Sequence, residues 1–302
     1  MGRFFLGAAA VAAAALLAPA AHADCPDYSD YSQEIHPPLS AGKYQLSYMR
    51  PAPACRTFNS SVVEDTITNM QSVIKDPDLY RLFENAFPNS LDTAVKFKGF
   101  AANNSAEELT FLITGDINAM WLRDSANQMQ SYLSLLTANS SYDSLASLYR
   151  GVINLQARYV IEAPHCNSFQ PPTESGLPAE QNQAIPDDFT PPVSNLTVFE
   201  CKYELDSLAA FLEISTNYYE ATGDIEFFRE FQWVQAINTV LETTQELLIG
   251  TYAPNGSVNT LPYTWERTTQ IGTETLDNDG RGNPVQAGTG LVRSAFRPSD
   301  DA

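Results

Sequence analysis

The sequence predicts an all-α fold, a toroid assembled from helix hairpins. Two observations carry this reading: apolar residues recur at helical intervals in successive runs between residues 61 and 248, and polar connections separate those runs. A third removes the main competitor. There is no strand-helix-strand rhythm, no G-x-G-x-x-G and no P-loop, so nothing supports a parallel sheet.

The chain opens with Arg3, an apolar run from Phe4 to Leu17 and a small-residue stretch ending at Ala23, the pattern of a secretory signal peptide cut after Ala23. That run is too short to span a bilayer. Residues 24–58, rich in Pro, Tyr and Ser, predict an extended N-terminal arm. Ser61 caps a helix carrying Val62, Ile67, Met70 and Ile74; Asp76-Pro77 ends it and starts another, with Leu79, Leu82, Phe83 and Phe87 as an apolar stripe. Val95 to Phe97 and Leu109 to Ile113 alternate, predicting a short β-hairpin that turns near Asn103-Asn104. Helices are expected from Asp124 to about Thr137, over Leu145 to Val160, and from Tyr203 to Thr222. After the stop-and-cap pair Gly223-Asp224 comes one from Ile225 to Leu248. The connection over 163–200, dense in Pro, Asn and Gln, is far longer than usual and reads as an ordered rim around a cleft. Beyond Gly250 come turns, a short strand near Tyr263–Arg267 and the Gly-rich segment Asp279–Pro284. Long loops and short hairpins are thereby expected on one face. A closed ring of twelve such helices needs more chain than this, so residues 59–302 are expected to be the N-terminal part of the toroid, with its C-terminal part missing.

Removing residues 1–23 takes Arg3 away, leaving 279 residues and moving the formal net charge from −19 to −20. Repulsion of that size disfavours nucleic acid and anionic membranes. It suits a secreted, extracellular monomer acting on a neutral ligand. Four cysteines, Cys25, Cys55, Cys166 and Cys201, allow three pairings in an oxidising compartment. The sequence-local pairing, Cys25 with Cys55 and Cys166 with Cys201, is favoured because each bond closes a Pro-rich loop. Histidines 22, 36 and 165 are isolated and no C-x-x-C occurs, so no metal site is expected. Sequons at Asn59, Asn103, Asn139, Asn195 and Asn255 are candidate glycan acceptors and agree with secretion.

The chemistry is concentrated in the stretch from Thr114 to Ser125, where an apolar strand-like run hands over to a helix. It holds Asp116, Trp121, Arg123 and Asp124 within nine residues. Capping accounts for Asp116 and for Asp124 or Ser125, and a core position accounts for Trp121. Capping does not account for Arg123 beside Asp124, two residues after a tryptophan, in so short a span. An indole for a sugar face and an Arg/Asp pair for hydroxyls are the kit of a carbohydrate site.

Five motifs sharpen this: Phe83-Glu84-Asn85 with Phe87-Pro88-Asn89, Gly115 to Ser125, Lys202-Tyr203-Glu204-Leu205-Asp206-Ser207-Leu208, Gly282-Asn283-Pro284-Val285, and Phe296 to Ala302. With them the chain resembles glycoside hydrolase family 125, the metal-independent exo-α-1,6-mannosidases, from about Leu82 to Ala302. Asn118 stands where bacterial members often have Pro, and Arg293 and Ala295 where they tend to have Trp and Gly.

The resemblance implies an (α/α)6 toroid, inverting hydrolysis of terminal α-1,6-linked mannose and no cofactor. It matches Asp300 to the family's general acid, with Asp206 the runner-up because other helical-toroid glycosidases hold an acid in a similar place. The family's base comes from a Met-His-Glu motif that this sequence lacks, so the base is expected to be missing and the chain alone inactive. Asp116, Trp121, Arg123, Asp124, Asp206 and Arg297 are the expected sugar-binding residues, and a mannose-containing oligosaccharide or glycan the partner. Two other readings fit the same residues: a secreted glycan-binding protein without turnover, and a related inverting glycosidase of other sugar specificity.

Overall fold

A computed structural model describes residues 25–115, 117–182, 188–266 and 284–295. The expected signal peptide, Asp116, Arg297, Asp300 and most of the Gly-rich segment lie outside the described residues.

Eight α-helices are described: α1 (Tyr28–Tyr31), α2 (Ser61–Val73), α3 (Pro77–Ala86), α4 (Leu122–Gln130), α5 (Leu145–Glu162), α6 (Leu205–Thr222), α7 (Phe227–Glu230) and α8 (Trp233–Glu246). Seven strands accompany them: β1 (Val95–Ala101), β2 (Asn104–Leu112), β3 (Met120–Trp121), β4 (Ser168–Phe169), β5 (Asp188–Thr190), β6 (Val198–Glu200) and β7 (Thr264–Glu266). The described chain is therefore helix-rich with small antiparallel sheets. No described helix is long and apolar enough to cross a membrane.

The core is built around α5, in which 14 of 18 residues are buried, so this helix is surrounded on nearly every side. Its N-cap Ser144 accepts a bond from Ser147 N–H, which starts the helix at the expected place. α6 and α8 pack along α5, and the β1–β2 hairpin crosses it. That hairpin is longer than the alternating residues predict, because a charged network holds its outer half. Arg150 Nε donates to Glu108 Oε2 at 2.6 Å, Arg158 Nε to Glu107 Oε1 at 2.9 Å, and Asn154 Nδ2 to the Glu108 carbonyl at 3.0 Å.

The second expected helix forms, but its stripe faces differently. Asp76 caps α3 through Asp78 and Leu79 N–H, while Leu79 and Leu82 are more than half exposed. Asp78, Arg81 and Asn85, one helical face at i, i+3 and i+7, turn inward to the N-terminal arm. Asp78 accepts from Ser40 Oγ and Tyr44 N–H, Arg81 Nη1 donates to the Pro38 and Leu46 carbonyls, and Asn85 bonds Met49 N–H and the Ser47 carbonyl. The arm has irregular backbone, so its polar groups need these side chains more than an apolar surface. Phe83 and Phe87 do pack on the core. Arg50 adds a buried pair with Asp92 at 2.7 Å and reaches Glu64, and the Cys25–Cys55 disulfide closes the arm.

Two further expectations shift. The helix expected to reach Thr137 stops at Gln130, followed by a 3-10 turn at Leu133–Leu135. The run over 225–248 is two helices, because Phe228 meets both Phe227 and Trp233 edge-to-face, with Phe227 and Phe228 also edge-on to Tyr218 of α6. Packing overrides local helical preference there. Gly223 ends α6 at φ 68°, a left-handed position that suits glycine. The 163–200 connection is ordered over its described part: β4 and β6 pair with each other, and the Cys166–Cys201 disulfide ties its ends. All five sequon asparagines are exposed.

At the crossing of α5 and β2, Gly151 lies against Thr110. A Cβ on Gly151 would clash with Thr110 Oγ1 and sit 2.9 Å from its backbone nitrogen. Gly151→Ala gains up to about 1 kcal/mol of helix propensity but incurs overpacking of about 1–3 kcal/mol. The expected outcome is a lower denaturant midpoint, partly recovered in Gly151→Ala/Thr110→Ala; a raised midpoint for the single variant contradicts this packing.

Candidate active site

The site begins at a three-stranded sheet. β3 pairs antiparallel with β4, placing Trp121 opposite Ser168, and β4 pairs with β6, placing Ser168 opposite Glu200. Leu122 N–H donates to the Asn167 carbonyl at 3.0 Å. Trp121 is thus held extended, at φ −76° and ψ 134°, and becomes the N-cap of α4 without a side-chain bond. Capping therefore does not account for Asp124 or Ser125. Asp124 lies within the first turn, and the buried Ser125 hydroxyl bonds back to the Trp121 carbonyl at 2.6 Å.

α6 begins beside α4, with Glu204 as its N-cap residue and Asp206 in its first turn. Arg123 spans the two helix starts. Its Nη2 lies 3.2 Å from Asp124 Oδ2, and its Nη1 lies 3.4 Å from both Glu204 Oε2 and Asp206 Oδ2. Among the described residues, three carboxylates therefore surround this guanidinium, at two helix ends whose dipoles favour negative charge. Asp124 and Asp206 side chains are 26% and 27% exposed, whereas that of Glu204 is 1% exposed. Asp206 Oδ1 and Trp121 Nε1 are buried atoms without a hydrogen-bond partner among the described residues. Trp121 is 7% exposed and meets Phe199 edge-on at 5.4 Å, so the indole is a wall of the site, not an open platform.

Behind this clasp, Asn167 Nδ2 donates to Glu200 Oε1 at 2.8 Å, and Lys202 N–H donates to Asn167 Oδ1 at 3.0 Å. Lys202 Nζ lies 3.4 Å from Glu200 Oε2. Past Phe199 opens a cavity of about 340 Å³ lined by Phe189, Trp265, Glu200, Lys202 and Asn182 among others. A separate cleft of about 640 Å³ lies by the hairpin, around Glu108, Arg150, Asp224 and Phe227. Among the described residues no cluster of His, Cys, Asp or Glu is placed to hold a metal.

The structure thus brings Trp121, Arg123, Asp124 and Asp206 together. Asp116, Arg297 and Asp300 fall outside the described residues. Glu204, Glu200, Lys202, Asn167 and Phe199 are neighbours that sequence reasoning did not select. Glu204 and Lys202 stand in the same motif as Asp206, which is the one signal that pointed to them. Arg293 is buried and donates to Thr251 Oγ1 at 2.9 Å, and burial lowers its pKa.

The family model of the metal-independent α-mannosidases, GH125, matches residues 76–302, three quarters of the chain. The chain belongs to this family. A relative by sequence is the meiotically up-regulated gene 157 protein of Schizosaccharomyces pombe, 44% identical over 279 residues, covering 92% of this chain and 53% of that protein. In structure the chain is similar to a metal-independent α-mannosidase of Streptococcus pneumoniae, solved as a non-productive substrate complex with α-1,6-mannobiose. The TM-score is 0.62 at 28% identity, covering 81% of this chain and 51% of the other. This GH125 chain spans about half the length of these relatives.

His165, next to the Cys166–Cys201 disulfide, is buried between the rings of Tyr203 and Tyr263, and among the described residues neither ring nitrogen is hydrogen-bonded. Burial pushes its pKa down to about 4. The unfolded chain binds a proton near pH 6.5 that the folded protein refuses until about pH 4. Stability from this group is therefore intact above pH 6.5 and falls between pH 6.5 and 4 by on the order of 3 kcal/mol. Thermal melts across that range should show this loss, and His165→Phe should flatten it; an equally steep slope in the variant contradicts the assignment.

Proposed function

We propose that this GH125 protein is a secreted exo-α-1,6-mannosidase, its helix pairs forming part of an (α/α)6 toroid and its ligand a mannose-terminated oligosaccharide or glycan. The observation that carries the reading is the clasp of Arg123 between Asp124, Glu204 and Asp206 beside Trp121. A guanidinium and adjacent carboxylates offer paired donors and acceptors at the spacing of neighbouring sugar hydroxyls. That the S. pneumoniae family member was solved with α-1,6-mannobiose favours mannose and this linkage.

In this reading Arg123 and Asp124 hold hydroxyls of the terminal mannose. Trp121 walls the pocket, and Asp116, Asp206 and Arg297 complete it. Asp300 protonates the departing glycosidic oxygen, as the matching family position does, with Asp206 the alternative acid. A glutamate base, expected from the family's Met-His-Glu segment, takes a proton from water on the opposite face of the sugar. An inverting pair stands about 6.5–9.5 Å apart, leaving room for that water. The transition state carries positive charge at the anomeric carbon and ring oxygen. The formal surplus of carboxylates around Arg123 gives the pocket a field of the sign that stabilises it.

An array of α-linked mannobioses and α-glucosides, given to a version of the chain extended to the length of its relatives and followed by proton NMR, tests the proposal. The expected result is release of β-mannose from α-1,6-mannobiose, undiminished by chelator. Asp300→Asn should lower kcat by about 10²–10⁴-fold while binding persists. Loss with Asp206→Asn but not with Asp300→Asn moves the acid to Asp206. Binding without release makes the protein a lectin-like receptor, and release of glucose alone changes the sugar.

A further inference from the structure

Of the three described carboxylates at Arg123, Glu204 differs in two respects. Its side chain is almost wholly buried, whereas Asp124 and Asp206 are each about a quarter exposed. Its backbone is also held by bonds on both neighbours. Tyr203 N–H donates to Tyr263 Oη at 3.3 Å, Ala295 N–H donates to the Tyr203 carbonyl at 3.2 Å, and Leu205 N–H donates to Ser294 Oγ at 3.1 Å. The disulfide at Cys201 lies three residues away.

This asymmetry divides the labour. Water or a sugar hydroxyl reaches Asp124 and Asp206 from the open side and can exchange with the guanidinium there. Neither reaches Glu204, whose side chain is enclosed on the far side of Arg123. The Arg123–Glu204 contact therefore persists when the others are traded for ligand. We propose that Glu204 is the positioning residue of the site: it fixes Arg123 from the closed side, so the guanidinium is already aimed when a hydroxylated ligand arrives. Only the identity of that ligand as mannose rests on the function proposed above. Pre-aimed donors save the ordering of a long side chain at the moment of binding.

The test compares wild type, Glu204→Gln, Glu204→Asp and Asp206→Asn in a version of the protein extended to the length of its relatives. Three readouts are taken: crystal structures without sugar, calorimetric binding of mannose, and hydrolysis of α-1,6-mannobiose. In Glu204→Gln, Arg123 should leave its position in the sugar-free crystal, mannose binding should weaken, and kcat/KM should fall by about 10²-fold, the usual consequence of a misplaced binding group. Glu204→Asp should partly restore both the Arg123 position and the rate. Asp206→Asn should leave Arg123 in place and act mainly on KM. Arg123 unmoved in both Glu204 variants, with kinetics like wild type, overturns the proposal. So does a loss of activity that only follows the loss of folded protein. Should wild type not hydrolyse mannobiose, the mannosidase reading fails, and the sugar-free crystal structures alone decide the role of Glu204.

Discussion

The Arg123 guanidinium, set between Asp124, Glu204 and Asp206, is the interaction on which the surrounding architecture depends. Two helix N-termini placed side by side bring positive dipole ends together, and carboxylates in their first turns offset this. Three carboxylates then repel one another, and the guanidinium relieves that in turn. The result holds only if both helix starts are rigid. The β3–β4–β6 sheet, the Asn167 bonds to Leu122, Glu200 and Lys202, and the Cys166–Cys201 disulfide all converge on those starts.

The rest of the molecule supports this corner from a distance. α5 fills the centre, and Gln156 on it donates to the Ser125 hydroxyl and the Leu122 carbonyl, joining the core helix to the first turn of α4. The N-terminal arm closes the far side through polar contacts with α3 and the Arg50–Asp92 pair. These buried charges contribute less to net stability than to fixing one arrangement, since removing either partner strands the other.

Features set by local chemistry are legible in the sequence: the Asp76-Pro77 helix start and the glycine stop at Gly223. Features set by packing are not. Nothing local to 225–248 says that Phe227, Phe228 and Trp233 will nest and split the run, and nothing in α3 says that Asp78 and Arg81 will be buried while Leu79 and Leu82 face outward. At the site, an Arg-Asp pair after a tryptophan is an uncommon local pattern, and so Arg123, Asp124 and Trp121 stand out. Glu204 does not, because a residue just before a helix turns inward or outward according to backbone angles that the whole fold sets. Its value, φ −114° and ψ 118°, carries the side chain to the closed side of Arg123.

The account stands or falls on where a sugar binds. A crystal structure of the protein with mannose is the direct measurement. The expected result is mannose hydroxyls within hydrogen-bond distance of Arg123 Nη atoms and Asp124 Oδ atoms, with the Glu204 contact to Arg123 kept. Mannose bound instead in the cleft between Glu108, Arg150 and Phe227, with the Arg123 clasp unchanged and empty, would contradict it.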